Sequence, residues 1–190
     1  MRILNKNEIM LEKDSLLREL RLGKIFIYPT DTIYGIGCNA LNEDSIKKIR
    51  QLKERYHQPF SVIAPSKEWI KDNCYISKKQ LQWLNKLPGA YTFILKLKNK
   101  LAVSNYVNSG METIGVRIPK HWFTEFVQET AVPIITTSVN KTGEQYMTSL
   151  EDLDPDIKKG VDYIFFDKPI IGKPSTIVDF TKKRIEVKKR

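Results

Sequence analysis

Two histidines and two cysteines in 190 residues leave little room for several common chemistries. Cys38 and Cys74 lie far apart in the sequence and neither belongs to a Cys-x-x-Cys pair, so neither a disulfide framework nor a thiolate zinc site is signalled. His57 and His121 alone exclude a histidine-rich metal site. No apolar segment approaches the roughly 20 residues that a membrane span requires. The opening Met-Arg-Ile-Leu-Asn-Lys-Asn-Glu lacks the apolar centre of a secretion signal, and a cytoplasmic enzyme or binding protein is expected.

Signatures of phosphate loops and nucleophiles are missing as well. There is no Gly-x-x-x-x-Gly-Lys-Ser/Thr, no Gly-x-Gly-x-x-Gly and no Gly-x-Ser-x-Gly. With so few histidines and no paired carboxylates at useful spacing, general acid–base machinery is thin. A reaction run mainly by holding two substrates together and neutralising phosphate charge fits better. Acidic residues are also in short supply, 22 against 32 lysines and arginines, for a net charge of +10. Half of that excess sits in residues 182–190, Lys-Lys-Arg-Ile-Glu-Val-Lys-Lys-Arg, which read as a solvated basic tail or as a nucleic-acid contact.

What is present reads as one domain across residues 1–190, since this length fills one core and is short for two. The organising stretch is residues 24–40. Ile25, Phe26, Ile27 and Tyr28 are an apolar run of β-formers, and Pro29, which has no N–H for a ladder, stops it. Thr30, Asp31, Thr32 and Tyr34 are then expected on a loop at the strand end, where ligands of open α/β sheets collect. Gly35 and Gly37 allow positive φ or close approach of another segment.

Apolar residues at helical spacing predict one helix over 7–21, a second capped by Asn42, shorter ones near 66–72 and 78–86, and another near 120–130. A further helix over 150–159 would be capped by Ser149. Strands are expected at 60–64, 91–97, 113–118, 132–136, 162–166, 175–180 and 184–188, with Thr137, Ser138 and Asn140 in the loop beyond 136. Together these give a three-layer α/β domain with a twisted, mixed, largely parallel sheet and helices on both faces.

Hydroxyls at three strand ends, Thr30/Thr32, Thr136/Thr137/Ser138 and Ser175/Thr176, suit an amino acid or a nucleotide, and Lys53, Arg55, Lys96 and Arg117 add positive charge for anions. Each has a plainer reading. Lys53 and Arg55 lie at a helix C-terminus, where cations favour the dipole anyway. Asp31 fits an Asx-type turn, and Arg117 equally fits a strand-edge ion pair.

Taken in order, Tyr-Pro-Thr-Asp-Thr-Ile-Tyr-Gly (28–35), Lys-Glu-Arg (53–55), Pro-Gly-Ala-Tyr-Thr (88–92), Gly-Val-Arg-Ile-Pro (115–119), Ser-Val-Asn-Lys-Thr-Gly (138–143) and Pro-Ser-Thr-Ile-Val-Asp (174–179) resemble the motif series of the YrdC/TsaC family. Its members are threonylcarbamoyl-AMP synthases. The resemblance implies a nucleotidyltransferase that converts L-threonine, bicarbonate or CO2, and ATP into L-threonylcarbamoyladenylate and pyrophosphate. That product feeds N6-threonylcarbamoylation of adenosine 37 in tRNA and is handed to a tRNA threonylcarbamoyl transferase. By motif, Lys53 and Arg55 meet the nucleotide phosphates as the catalytic pair, Thr32, Arg117 and Ser175 contact threonine, and Ser138 and Asn140 lie near the adenylate. Mg2+ accompanies ATP, held by phosphates and water rather than by a protein metal site. The chain departs from the family pattern at several places, among them Ala90, which stands where Pro-Gly-Pro is common. Arg55-Tyr56-His57-Gln58-Pro59 lacks the family's first proline and is a residue shorter, and Val139 replaces the usual alanine. The shorter loop keeps open a paralogue acting on another carbamoyl or acyl-phosphate substrate, and the charge keeps open a non-catalytic RNA-binding module.

Overall fold

A computed structural model describes residues 1–190. In chain order it begins β1 (Arg2–Leu4), α1 (Lys6–Leu11), α2 (Lys13–Arg21), β2 (Phe26–Tyr28), β3 (Gly35–Gly37), α3 (Glu43–Leu52) and β4 (Ser61–Ile63). It continues with α4 (Lys67–Asn73), α5 (Lys78–Leu84), β5 (Tyr91–Lys96), α6 (Asn105–Asn108), β6 (Thr113–Arg117) and α7 (Trp122–Thr130). The last elements are β7 (Ile134–Ser138), α8 (Pro155–Gly160), β8 (Tyr163–Phe165), β9 (Thr176–Asp179) and β10 (Glu186–Lys188).

All ten strands join one sheet in the order β1-β8-β2-β3-β7-β4-β6-β5-β9-β10. It is mixed, with four parallel and five antiparallel ladders. Successive strand residues point to opposite faces, and the core divides accordingly. Phe26, Tyr28, Ile63, Ile134 and Phe165 pack with Ile9, Leu16, Leu20 and Phe123 under α1, α2 and α7. Their chain neighbours Ile25, Ile27, Val62, Ile135 and Ile164 join Ile46, Ile49, Ile70, Leu84 and Ile157 from α3, α4, α5 and α8 on the other face. This alternation is what makes three layers.

Several element boundaries differ from those expected. The helix over 7–21 is two helices broken at Glu12, and α1 starts from a capping box in which Asn5 and Glu8 satisfy each other's backbone N–H groups. Ser149 does not cap α8. Its hydroxyl and that of Thr148 are held by the Asp152 carboxylate, while Asp154 caps the helix with Pro155 in its first turn. The basic tail is not a free end, because residues 186–188 form an exposed edge strand antiparallel to β9.

The largest difference concerns Gly35-Ile36-Gly37. These residues form a strand, and neither glycine is among the positive-φ positions. The reason is space. A Cβ on Gly37 would lie 1.8 Å from the Ile135 carbonyl oxygen, and one on Gly35 2.8 Å from the Tyr28 ring. Tyr28 uses the same opening to donate from its hydroxyl to that Ile135 oxygen at 2.6 Å. Because β3 pairs Gly35 with Ser138 and Ile36 with Thr137, β7 runs two residues further than expected. Thr137 and Ser138 therefore lie on a strand end, not in a loop. Gly37→Ala should cost about 3 kcal/mol in urea denaturation, since the backbone must part to admit the methyl group. An unchanged midpoint would show that the β3–β7 contact is looser than described.

Candidate functional site

The rim that collects the site is formed where the chain reverses between β2 and β3. Thr30 organises that reversal, donating from Oγ1 to the Ile33 carbonyl at 2.7 Å and sharing a 3.0 Å contact with the Thr32 hydroxyl. Asp31 points to the neighbouring strand end. One of its carboxylate oxygens accepts from Arg117 Nη2 at 2.6 Å, and the other accepts the Lys120 N–H at 2.9 Å. The strand-edge ion pair considered for Arg117 is therefore present. The same Nη2 reaches Thr32 Oγ1 at 3.3 Å.

Around this rim lies a cavity of about 110 Å3, lined among others by Thr30, Arg55, Arg117, Ser138, Ser175 and Arg190. Three guanidinium groups converge there, and no Asp or Glu lines the cavity. Asp31 offsets Arg117, whereas no carboxylate lies within salt-bridge distance of Arg55 or Arg190. Nε of both Arg55 and Arg117 is buried without an acceptor. Burial depresses the pKa of all three arginines, and the Arg190 charge adds to that effect on Arg55 and Arg117. Buried cations that repel one another and hold unmatched donors are stabilised by an incoming anion. Hydroxyls complete the lining. Ser175 Oγ lies 2.7 Å from Thr92 Oγ1, and Ser138 Oγ donates to Asn140 Oδ1 at 2.5 Å.

Of the residues singled out in the sequence, Arg55, Arg117, Ser138 and Ser175 meet at this cavity. Thr32 lies one hydrogen bond behind it, against Arg117. Lys53 and Asn140 stand apart from the lining. Lys53 is almost fully buried, and its ammonium group donates to the Ser138 carbonyl, to the Asn140 carbonyl at 2.6 Å and to Asn140 Oδ1 at 3.4 Å. In this conformation it braces the 138–140 turn and is not positioned as a free phosphate contact. Asn140 in turn bonds the carbonyls of Lys141 and Glu144.

Arg190 is the residue that sequence reasoning missed. It reaches back from the end of β10 to give Ser175 two hydrogen bonds of 3.1 Å, one to its carbonyl and one to its hydroxyl. The shortened loop after Arg55 is held firmly. Buried Arg50 donates to the carbonyls of Arg55, Tyr56 and Gln58 while stacking on Phe60. Val139 turns its side chain into the core and does not line the cavity.

Burial, with the Arg55 charge added, lowers the Lys53 pKa to about 7. The folded value is below that of the unfolded chain, roughly 10.4. Between pH 7 and 10 the unfolded chain therefore binds more protons, and the Lys53 contribution to stability rises with pH. Thermal melts should show the wild type gaining on Lys53→Met between pH 6 and 9. A drift in the opposite direction would mean that the ammonium form is favoured by folding.

Comparison with known proteins fits this geometry. The sequence profile of the Sua5/YciO/YrdC family, described as telomere recombination, matches residues 18–190. A putative threonylcarbamoyl-AMP synthase of Methanocaldococcus jannaschii is 34% identical over 186 residues, covering 96% of this chain and 86% of that protein. The threonylcarbamoyl-AMP synthase of Bacillus subtilis is 32% identical over 164 residues, 84% of this chain but only 47% of its own length. Among solved structures, Sua5 of Pyrococcus abyssi in complex with L-threonine superposes with a TM-score of 0.87 at 26% identity, over 98% of this chain and 56% of that one. With nearly the whole sequence matched and the strand-end motifs gathered at one cavity, the chain belongs to the Sua5/YciO/YrdC family.

Proposed function

We propose that this protein is an L-threonylcarbamoyladenylate synthase, taking L-threonine, bicarbonate or CO2, and ATP to threonylcarbamoyl-AMP and pyrophosphate for tRNA modification. The observation that carries this reading is the convergence of Arg55, Arg117 and Arg190 with Ser138 and Ser175 on one cavity that lacks carboxylates. Threonine supplies an anionic carboxylate and a hydroxyl, which match Arg117 and the Ser175/Thr92 hydroxyl pair, with Thr32 fixing the arginine. Arg55 and Arg190 serve the phosphates, and Ser138 lies on the adenylate side. The threonine amine and CO2 give a carbamate, whose oxygen attacks the α-phosphate as pyrophosphate departs. Fixed guanidinium groups stabilise the charge that develops on the phosphate oxygens, and the buried site keeps water from the carbamate.

A cavity of 110 Å3 holds several waters or a small polar molecule but not a nucleoside triphosphate as well. Arg190 lines this cavity while bonded to Ser175, so a nucleotide seated here would compete with Ser175 for its guanidinium. Mg2+ fits as a passenger on ATP. The lining offers hydroxyls but no carboxylate, so phosphate oxygens and water would supply most ligands, and the ion would shield phosphate charge. No helix is long and apolar enough to cross a membrane; the cytoplasmic location rests on the role in tRNA modification proposed here.

Purified protein given ATP, labelled bicarbonate and single amino acids should release pyrophosphate and form a labelled adenylate with threonine. Turnover with another amine in place of threonine would assign the cavity to a different carbamoyl substrate. Arg55→Ala should lower kcat/KM by about 100- to 1,000-fold, as the loss of one charge-stabilising donor does elsewhere. Its melting temperature should change little. Ser175→Ala should chiefly raise KM for threonine, and normal kinetics in both variants would sink the assignment.

A further inference from the structure

The charge that the cavity does not use lies elsewhere. At the end of β9 opposite Ser175, two hollows of about 480 and 510 Å3 share Ser77, Gln80 and Phe180 and so form one groove. From Ser175 to Phe180 the strand advances by roughly 16 Å at its usual rise. The groove is thus separate from the cavity and is built by the β9–β10 turn against α5. Lys79, Lys182, Lys183 and Arg184 line it, all exposed and none within salt-bridge distance of a carboxylate. One carboxylate, Glu112, lines the groove, and both it and Asp179 are occupied. Glu112 pairs with Lys96 and Lys100, and Asp179 accepts from the Thr181 N–H and hydroxyl within the turn. The floor is rigid, since Phe180 makes edge contacts with Trp83 and Phe93. Tyr75, 57% exposed, stands at one side as an open aromatic face.

We infer that this groove docks the phosphodiester backbone of a nucleic acid, and that the strand is RNA. The choice of RNA over DNA rests on the function proposed above; the choice of nucleic acid does not. Four unpaired cations along one hollow match a regularly charged polyanion, and a half-exposed tyrosine in the adjoining hollow offers a surface on which a base can stack. An acidic protein is the weaker match. Protein interfaces are depleted in lysine, and three of these four cations are lysines. A small anion would need a closed, buried donor set, which the groove lacks.

The test measures binding of a fluorescent tRNA transcript to the full chain between 50 and 200 mM salt. The comparison is a variant with Lys79, Lys182, Lys183 and Arg184 all changed to alanine, set beside a charge-matched control with Lys6, Arg18, Lys48 and Lys159 changed to alanine. Loss of four phosphate contacts should reduce the slope of log K against log salt by about 3 and weaken binding at least tenfold. The control should lose far less, and both variants should keep threonine-dependent pyrophosphate release. Equal weakening in both sets would reduce the effect to net charge and overturn the site. Tighter binding of poly-glutamate than of tRNA would assign the groove to acidic protein, and tighter binding of single-stranded DNA would overturn the choice of RNA. If the wild type makes no adenylate yet only the groove variant loses tRNA, the enzymatic reading falls while the groove stands.

Discussion

The Arg117–Asp31 pair is the interaction on which the site depends. It joins the end of β6 to the β2–β3 reversal at 2.6 Å, with both side chains nearly closed to solvent. Two charges removed from water repay their desolvation only when their remaining hydrogen-bonding capacity is met. Asp31 meets its share through the Lys120 N–H, and Arg117 partly through Thr32, yet Arg117 Nε stays unmatched. The pair thus fixes a guanidinium at the rim while leaving it short of an acceptor, so rigidity and appetite for an anion come from one contact.

Two further buried cations act in a different way. Arg50 and Lys53, near the end of α3, find no carboxylate and are satisfied by backbone oxygens of the segments that build the cavity wall. Arg50 shapes the 55–58 loop behind Arg55, and Lys53 shapes the 138–140 turn behind Ser138. Charge in this protein is therefore arranged in two ways: bonded to carbonyls it defines where loops run, and left unpaired it gives the cavity a cationic lining.

Most of the fold was legible because its strands and helices announce themselves by apolar period, as at Ile25–Tyr28 and in α3. Gly35-Ile36-Gly37 was not, since two glycines and one isoleucine carry no strand signal, and what requires glycine is the Tyr28 ring at Gly35 and the distant Ile135 carbonyl at Gly37. Missing that strand also cost two residues of β7. At the site, Arg55, Arg117, Ser138 and Ser175 could be found because ordered motifs surround them. The engagement of Lys53 could not, because backbone acceptors leave no mark in a sequence. Arg190 was hidden for another reason: among six basic residues in nine, nothing distinguishes the one that turns inward.

That inward turn has a practical side. Arg190 stands two residues past an edge strand and touches the hydroxyl that faces the cavity. An environment-sensitive label in place of this side chain would therefore sit at the pocket and report its filling.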